Sequence, residues 1–197
     1  MMLASHILLW IAVLVLGVLV AALARQVGIL HERIAPAGAL TLHQHVNVGE
    51  KPTPLQLRTV DGGSVTVGGQ RGGRSQLVFF AAPDCPVCKS LLPVLKSSAK
   101  AEADWLDVVL AGDGAEAPYR AMAAEHGLGG VPLVLSEALG RSFGVSKLPY
   151  AVLIDEEGRL ASLGLINSRE HLESLFEAKE RGVASIQDYL SRRNMGA

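Results

Sequence analysis

The sequence predicts an α/β sandwich of three layers, opened by a β-hairpin and preceded by a single membrane-spanning helix. Three observations predict it. Apolar, β-favouring runs alternate with stretches of helical period from residue 55 to residue 177. Two segments, residues 55–67 and 151–165, read as hairpins around Asp61-Gly62-Gly63 and Asp155-Glu156-Glu157-Gly158. Between them a Cys-x-x-Cys pair, Cys85 and Cys88, follows an apolar strand and opens a helix.

The 197 residues suit one ordinary domain with additions at its ends. A net charge of -1 gives no reason to expect nucleic acid as a partner. Residues 1–24 contain no Asp, Glu, Lys or Arg, and the 18 residues 7–24 are rich in Leu, Val, Ile and Ala. That is near the length of a bilayer-crossing helix, so residues 1–25 read as a transmembrane anchor. A cleaved signal peptide is the competing reading, with Ala22-Leu23-Ala24 as its processing site. The missing positive start and the long apolar run favour the anchor. Arg25 and Arg33 follow the span, which by the positive-inside rule alone would leave the domain in the cytoplasm. A tethered dithiol pair makes most sense in an oxidising compartment, which points the other way. Residues 26–48 form a linker whose His43 and His45 alternate. Without thiolate or carboxylate neighbours they read as polar linker residues rather than metal ligands.

The domain runs over residues 49–180, with a helical tail at 181–197. Residues 55–57 and 65–67 are the two arms of the first hairpin. The glycine-rich residues 68–73 lack the Gly-Lys-Ser/Thr ending of a phosphate loop. Leu77 to Phe80 form the central strand. Pro86 suits the first turn of the next helix, where its missing N–H costs nothing. Leu91, Leu92 and Leu95 share that helix's apolar face, and Pro93 is expected to kink it. Residues 106–110 are a buried strand, 118–126 a helix stopped by Gly127, 131–135 a short strand and 137–141 a turn of helix. Pro149 leads into the strand 151–154; read locally, it is an ordinary trans proline at a strand start. Asn167 and Glu170 resemble a capping box opening a helix that buries Leu172, Leu175 and Phe176. Gly182 should end it, and Ser185 could cap a last short helix.

Cys85 and Cys88 are the only cysteines in the chain. Half of a zinc site is one alternative, but no second pair completes four ligands. Two inert buried thiols are another, and the strand–turn–helix setting argues against them. A thiol at a helix N-terminus gains from the partial positive charge there, because the reactive species is the thiolate. Cys85 is therefore read as the nucleophile and Cys88 as the resolving thiol, a redox-active disulfide pair that needs no cofactor and no metal.

Together the hairpins, the alternating elements and the Cys-x-x-Cys after the central strand point to a thioredoxin-like sandwich. The core resembles the membrane-anchored thioredoxin-like family that serves periplasmic protein maturation. The matching parts are the opening hairpin, the unit from Phe79 to Cys88, and residues 145–158 as the strand that follows a cis-proline. The resemblance implies a cis Leu148–Pro149 bond in a loop facing Cys85. It also implies Pro149 as part of the catalytic site, and Pro86, Val87 and Leu148 as substrate-binding residues. The run Ala24-Arg25-Gln26-Val27-Gly28-Ile29-Leu30-His31-Glu32-Arg33-Ile34-Ala35-Pro36-Ala37-Gly38-Ala39 is more specific. With Ala82-Pro83-Asp84-Cys85-Pro86-Val87-Cys88-Lys89 it is similar to the methylamine-utilization accessory proteins of the MauD family. That resemblance implies a single-pass protein of the bacterial inner membrane with its domain in the periplasm. Its implied partners are a disulfide-rich protein, the small subunit of methylamine dehydrogenase, and a redox partner of unknown identity. The implied work is to form, isomerise or maintain that subunit's disulfides.

The chain departs from ordinary thioredoxin in two ways. Asp84 stands where a tryptophan usually precedes the first cysteine, and its charge should disfavour the Cys85 thiolate. Residues 77–82 hold no acidic side chain to serve as a buried proton acceptor. Two rival functions share parts of this pattern. A peroxiredoxin-like peroxidase would share the opening hairpin, but Ala82 stands where Thr or Ser is expected three residues before the peroxidatic thiol. A copper-delivery chaperone would use Cys85, Cys88 and a distant histidine such as His126 or His171.

Overall fold

The computed structural model describes residues 6, 7, 9–20 and 47–181. The chain divides into two units, Met1–Leu42 and His43–Ala197. In the first, residues 9–20 form helix α1, and its large apolar side chains, Trp10 among them, are exposed. Among the described residues no helix is long and apolar enough to cross a membrane. The rest of the expected span with Arg25, the linker up to residue 46 with Arg33, His43 and His45, and the tail with Gly182 and Ser185 lie outside the described residues.

The second unit runs β1 (Leu55–Arg58), β2 (Ser64–Val67), β3 (Ser75–Phe80), α2 (Pro86–Ala101), β4 (Leu106–Gly112) and α3 (Glu116–Glu125). It continues through β5 (Leu133–Leu135), α4 (Glu137–Ser142), β6 (Tyr150–Ile154), β7 (Leu160–Leu165) and α5 (Arg169–Glu180). A five-stranded sheet has the order β5-β4-β3-β6-β7, with β4 parallel to β3 and to β5, and β6 antiparallel to β3 and β7. The hairpin β1–β2 stands apart from it, linked to β5 by a bridge between Thr59 and Val134.

The central strand shows why the layers form. Every residue of β3 is buried, and its side chains alternate between two cores, as strand geometry requires. Leu77 and Phe79 enter a core with Leu92 and Leu95 of α2, Tyr119 and Met122 of α3, and Leu172 and Leu175 of α5. Val78 and Phe80 enter the other, with Leu139 of α4, Phe143 and Val67 of β2. The two parallel crossovers, through α2 and α3, step the same way along the sheet. Right-handed connections then put both helices on one face, where the first core has them.

The glycine-rich connection after β2 is tied to β4 by two arginines. Arg71 and Arg74 each donate to the Asp107 carboxylate of β4, at 2.9 and 2.6 Å. Partial burial would raise the Asp107 pKa, but the hydrogen bonds from Arg74 and Arg71 outweigh it and hold the carboxyl below its usual range. Gly158, at φ 78°, lies so close to this connection that a Cβ would come within 2.7 Å of the Gly69 carbonyl carbon.

Several expected boundaries move for physical reasons. β5 starts at Leu133 rather than residue 131, because the Val131 N–H closes a turn onto the Leu128 carbonyl. Helix α3 begins at Glu116, which leaves Pro118 in its first turn, where it fits. Helix α2 runs on through Pro93 to Ala101. The cap of α5 is Ser168, not Asn167: the Ser168 Oγ accepts from the His171 N–H, while the Asn167 N–H turns to His171 Nδ1. Phe176 is only partly buried; it stands edge-on to Trp105, ring centroids 5.5 Å apart, with Lys179 Nζ over the Trp105 ring.

Candidate active site

The β3–β4 ladder reaches Ala81, whose N–H donates to the Ala111 carbonyl at 3.0 Å. Four residues later the Cys85 N–H closes a turn onto the Ala82 carbonyl at 3.2 Å. Cys85 is the N-cap of α2, extended at φ -92°, ψ 107°, and its carbonyl accepts the first helical bond from Lys89. Its Sγ accepts the Cys88 N–H at 3.1 Å, filling the place that a Ser or Asp oxygen takes at other helix starts. Pro86 occupies the first turn, which carries no acidic residue to offset the helix dipole. Cys85 and Cys88 are joined in a disulfide, with Cα atoms 5.2 Å apart. Cys85 is partly exposed and Cys88 fully buried, so Cys85 carries the sulfur within reach of a partner.

The Leu148–Pro149 bond is cis. Pro149 is buried and its carbonyl accepts the Ile166 N–H at 3.0 Å. Phe80 pairs with Tyr150, so the chain entering β6 through Pro149 and the chain leaving β3 toward Cys85 lie at the same end of the sheet. Among the described residues of this unit, the large apolar side chains left exposed are Val87 (44%), Leu148 (38%) and Leu165 (44%). Val87 lies between the cysteines and Leu148 precedes Pro149. Leu165 pairs with Tyr150, which brings it to the same end. The resemblance implies Val87 and Leu148; Leu165 has no mark in the sequence beyond being the last apolar residue of a hairpin arm.

Asp84 is exposed beside Cys85. Two cavities of about 320 and 280 Å³ lie at the far end of the sheet, one beside Arg71 and Asp107, the other beside Asp155 and Glu156. Neither includes a cysteine. His126 caps the end of α3, its Nε2 buried without a hydrogen-bond partner, and His171 sits in the first turn of α5. Among the described residues, no group of three or more His, Cys, Asp or Glu is placed to hold a metal ion.

Comparison with known proteins agrees with this architecture. A family model described as a thioredoxin-like domain matches residues 67–180, more than half of the chain. The methylamine utilization protein MauD of Methylophilus methylotrophus is 42% identical over 194 residues, covering 98% of this chain and 91% of that protein. MauD of Paracoccus denitrificans is 42% identical over 197 residues, covering 100% of this chain and 98% of its own. The chain belongs to the MauD family. The MauD match extends well ahead of the thioredoxin-like match, taking in the apolar span and the linker. Among solved structures, a putative protein disulfide isomerase from Bacteroides thetaiotaomicron superposes with a TM-score of 0.58 at 21% identity. That likeness covers 70% of this chain and 91% of the other, and it shows the shared fold. With the MauD relatives, the thioredoxin-like fold supports thiol–disulfide redox chemistry in methylamine utilization.

Proposed function

We propose that this chain is a thiol–disulfide oxidoreductase, tethered to the bacterial inner membrane by its apolar N-terminal span, with its domain in the periplasm. Its proposed substrate is the disulfide-rich small subunit of methylamine dehydrogenase, whose disulfides it forms, isomerises or maintains. The observation that carries the reading is Cys85: a reachable sulfur at a helix N-cap, bonded to a buried Cys88, at the end of the sheet where the Pro149 loop enters β6.

In the oxidising direction a substrate thiolate attacks Cys85 Sγ, and the Cys85–Cys88 bond breaks with Cys88 leaving as the thiolate. A second substrate thiolate then attacks its own sulfur in the mixed disulfide and releases Cys85. Two electrons pass from the substrate dithiol to the cysteine pair, and the substrate's two protons end on the cysteines or in solvent. Reduction is the reverse. In isomerisation the reduced Cys85 opens one substrate disulfide and is displaced by another substrate thiol, with no net electron transfer. Pro149 has no N–H to compete for an extended substrate strand, and Pro86, Val87, Leu148 and Leu165 offer it an apolar seat.

The test is exchange with a reduced, unfolded protein by the purified full chain in detergent. Wild type should oxidise it and Cys85→Ser should abolish the reaction; offered the same protein with its disulfides scrambled, Cys88→Ser should open one of them through Cys85 and stop at a mixed disulfide. An active Cys85→Ser variant would remove Cys85 as the nucleophile. The location has its own test: a membrane-impermeant thiol reagent on intact spheroplasts, after mild reduction, should label Cys85. Labelling only after lysis would place the domain in the cytoplasm.

A further inference from the structure

The turn that carries Cys85 is held from behind by one buried hydroxyl. Ala81 is the last residue of β3's course whose N–H reaches β4, at the Ala111 carbonyl. In a parallel ladder the next rung would run from the Asp113 N–H to the Ala81 carbonyl. Here that rung is split. The Asp113 N–H donates to the Tyr119 hydroxyl at 3.2 Å, and the hydroxyl donates to the Ala81 carbonyl at 3.2 Å. A phenol from α3 is thus inserted between the two strands where they end, just ahead of the residues that turn toward Cys85.

Two features make this a built arrangement. Tyr119 is buried. Opposite Ala81 in the register stands Gly112, and a Cβ there would overlap the Tyr119 ring and hydroxyl. Glycine at this strand end is what lets the ring through. Burial, followed by the charges of Asp113 and Asp84, raises the Tyr119 pKa, against the pull of the Asp113 N–H, so the phenol stays protonated and able to donate.

We propose that Tyr119 is a positioning residue for Cys85: its inserted hydroxyl fixes the course of residues 81–85 and so keeps Cys85 Sγ on the Cys88 N–H at the helix N-terminus. The inference rests on reading Cys85 as the reactive thiol. Without the hydroxyl, Ala81 and Asp113 either close directly, drawing the turn toward β4, or lose their partner and let it loosen. In both cases the sulfur loses the fixed N–H that favours its thiolate.

The test is the pH dependence of Cys85 alkylation in the reduced full-length chain in detergent, followed by mass spectrometry. Tyr119→Phe keeps the ring and should raise the Cys85 pKa by about one unit, with about tenfold less thiolate at a pH below it. Gly112→Ala keeps the hydroxyl but displaces the ring, and should do the same; it decides the matter if Tyr119→Phe fails to fold. Ser162→Ala serves as the comparison, because it deletes another buried hydroxyl, donated to the Leu175 carbonyl at 2.9 Å under α5. It should lower the melting temperature and leave the Cys85 pKa where it was. An unchanged Cys85 pKa in the Tyr119 and Gly112 variants, whatever their stability, would overturn the proposal, as would an equal shift in Ser162→Ala. The measurement needs no partner protein. Loss of exchange activity in wild type would therefore defeat the proposed function without deciding Tyr119.

Discussion

Leu165 closes β7 with its side chain in solvent at the end of the sheet that holds the disulfide. Nothing in the fold rewards an apolar residue at that exposure, whereas an unfolded substrate lying across Val87 and Leu148 would. Leu165→Asp should therefore leave the melting temperature nearly unchanged and leave reduction of the disulfide by a small dithiol unaffected. It should raise KM for an unfolded protein substrate about tenfold, the effect of losing part of one leucine's burial. An equal loss with the small dithiol would mean that the site itself had been disturbed. This residue also marks where reading the sequence stops. Val87 and Leu148 adjoin the landmarks that carry the family resemblance, a cysteine motif and a proline before a strand, and the resemblance implies them. Leu165 and Tyr119 acquire their roles from pairing with Tyr150 and from passing over Gly112, and those are relations between distant segments.

At the scale of elements, strand, turn and helix around the cysteines were legible because each signal is local: an apolar run, Pro86 at the first turn, leucines on one face. The hairpins were legible for the same reason, through their turn residues. Boundaries set by one hydrogen bond were not, such as the late start of β5 after the Val131 turn and the shift of the α5 cap to Ser168. Nor was the glycine-rich connection's anchorage, since Arg71 and Arg74 meet Asp107 across more than 30 residues of sequence. Asp107→Asn should destabilise the domain by about 1 kcal/mol at neutral pH, a modest figure because solvent screens the pairs. The sign with pH follows from the lowered Asp107 pKa. Its stabilisation is complete above the unfolded carboxylate's value of about 3.9 and is lost as pH falls through the lower folded value. Urea unfolding of the two proteins should accordingly differ at pH 7 and converge in acid; a constant gap would show that the carboxylate's charge is not what holds the connection.

The whole molecule joins an apolar N-terminal segment, a thioredoxin-like domain and a reachable Cys85 sulfur in a chain that matches its MauD relatives over its full length. The fold follows from pattern; the substrate does not, because an apolar rim takes many unfolded chains and selects none by itself. On this reading Cys85 exchanges disulfides with a protein matured in methylamine utilization. That exchange is tested most directly by expressing full-length Cys88→Ser in cells induced for growth on methylamine and separating what is bound to Cys85 on non-reducing gels. The expected result is a reducible complex, absent from Cys85→Ser cells, that contains the methylamine dehydrogenase small subunit. Equal trapping by both variants, or a trapped species without that subunit, would contradict it.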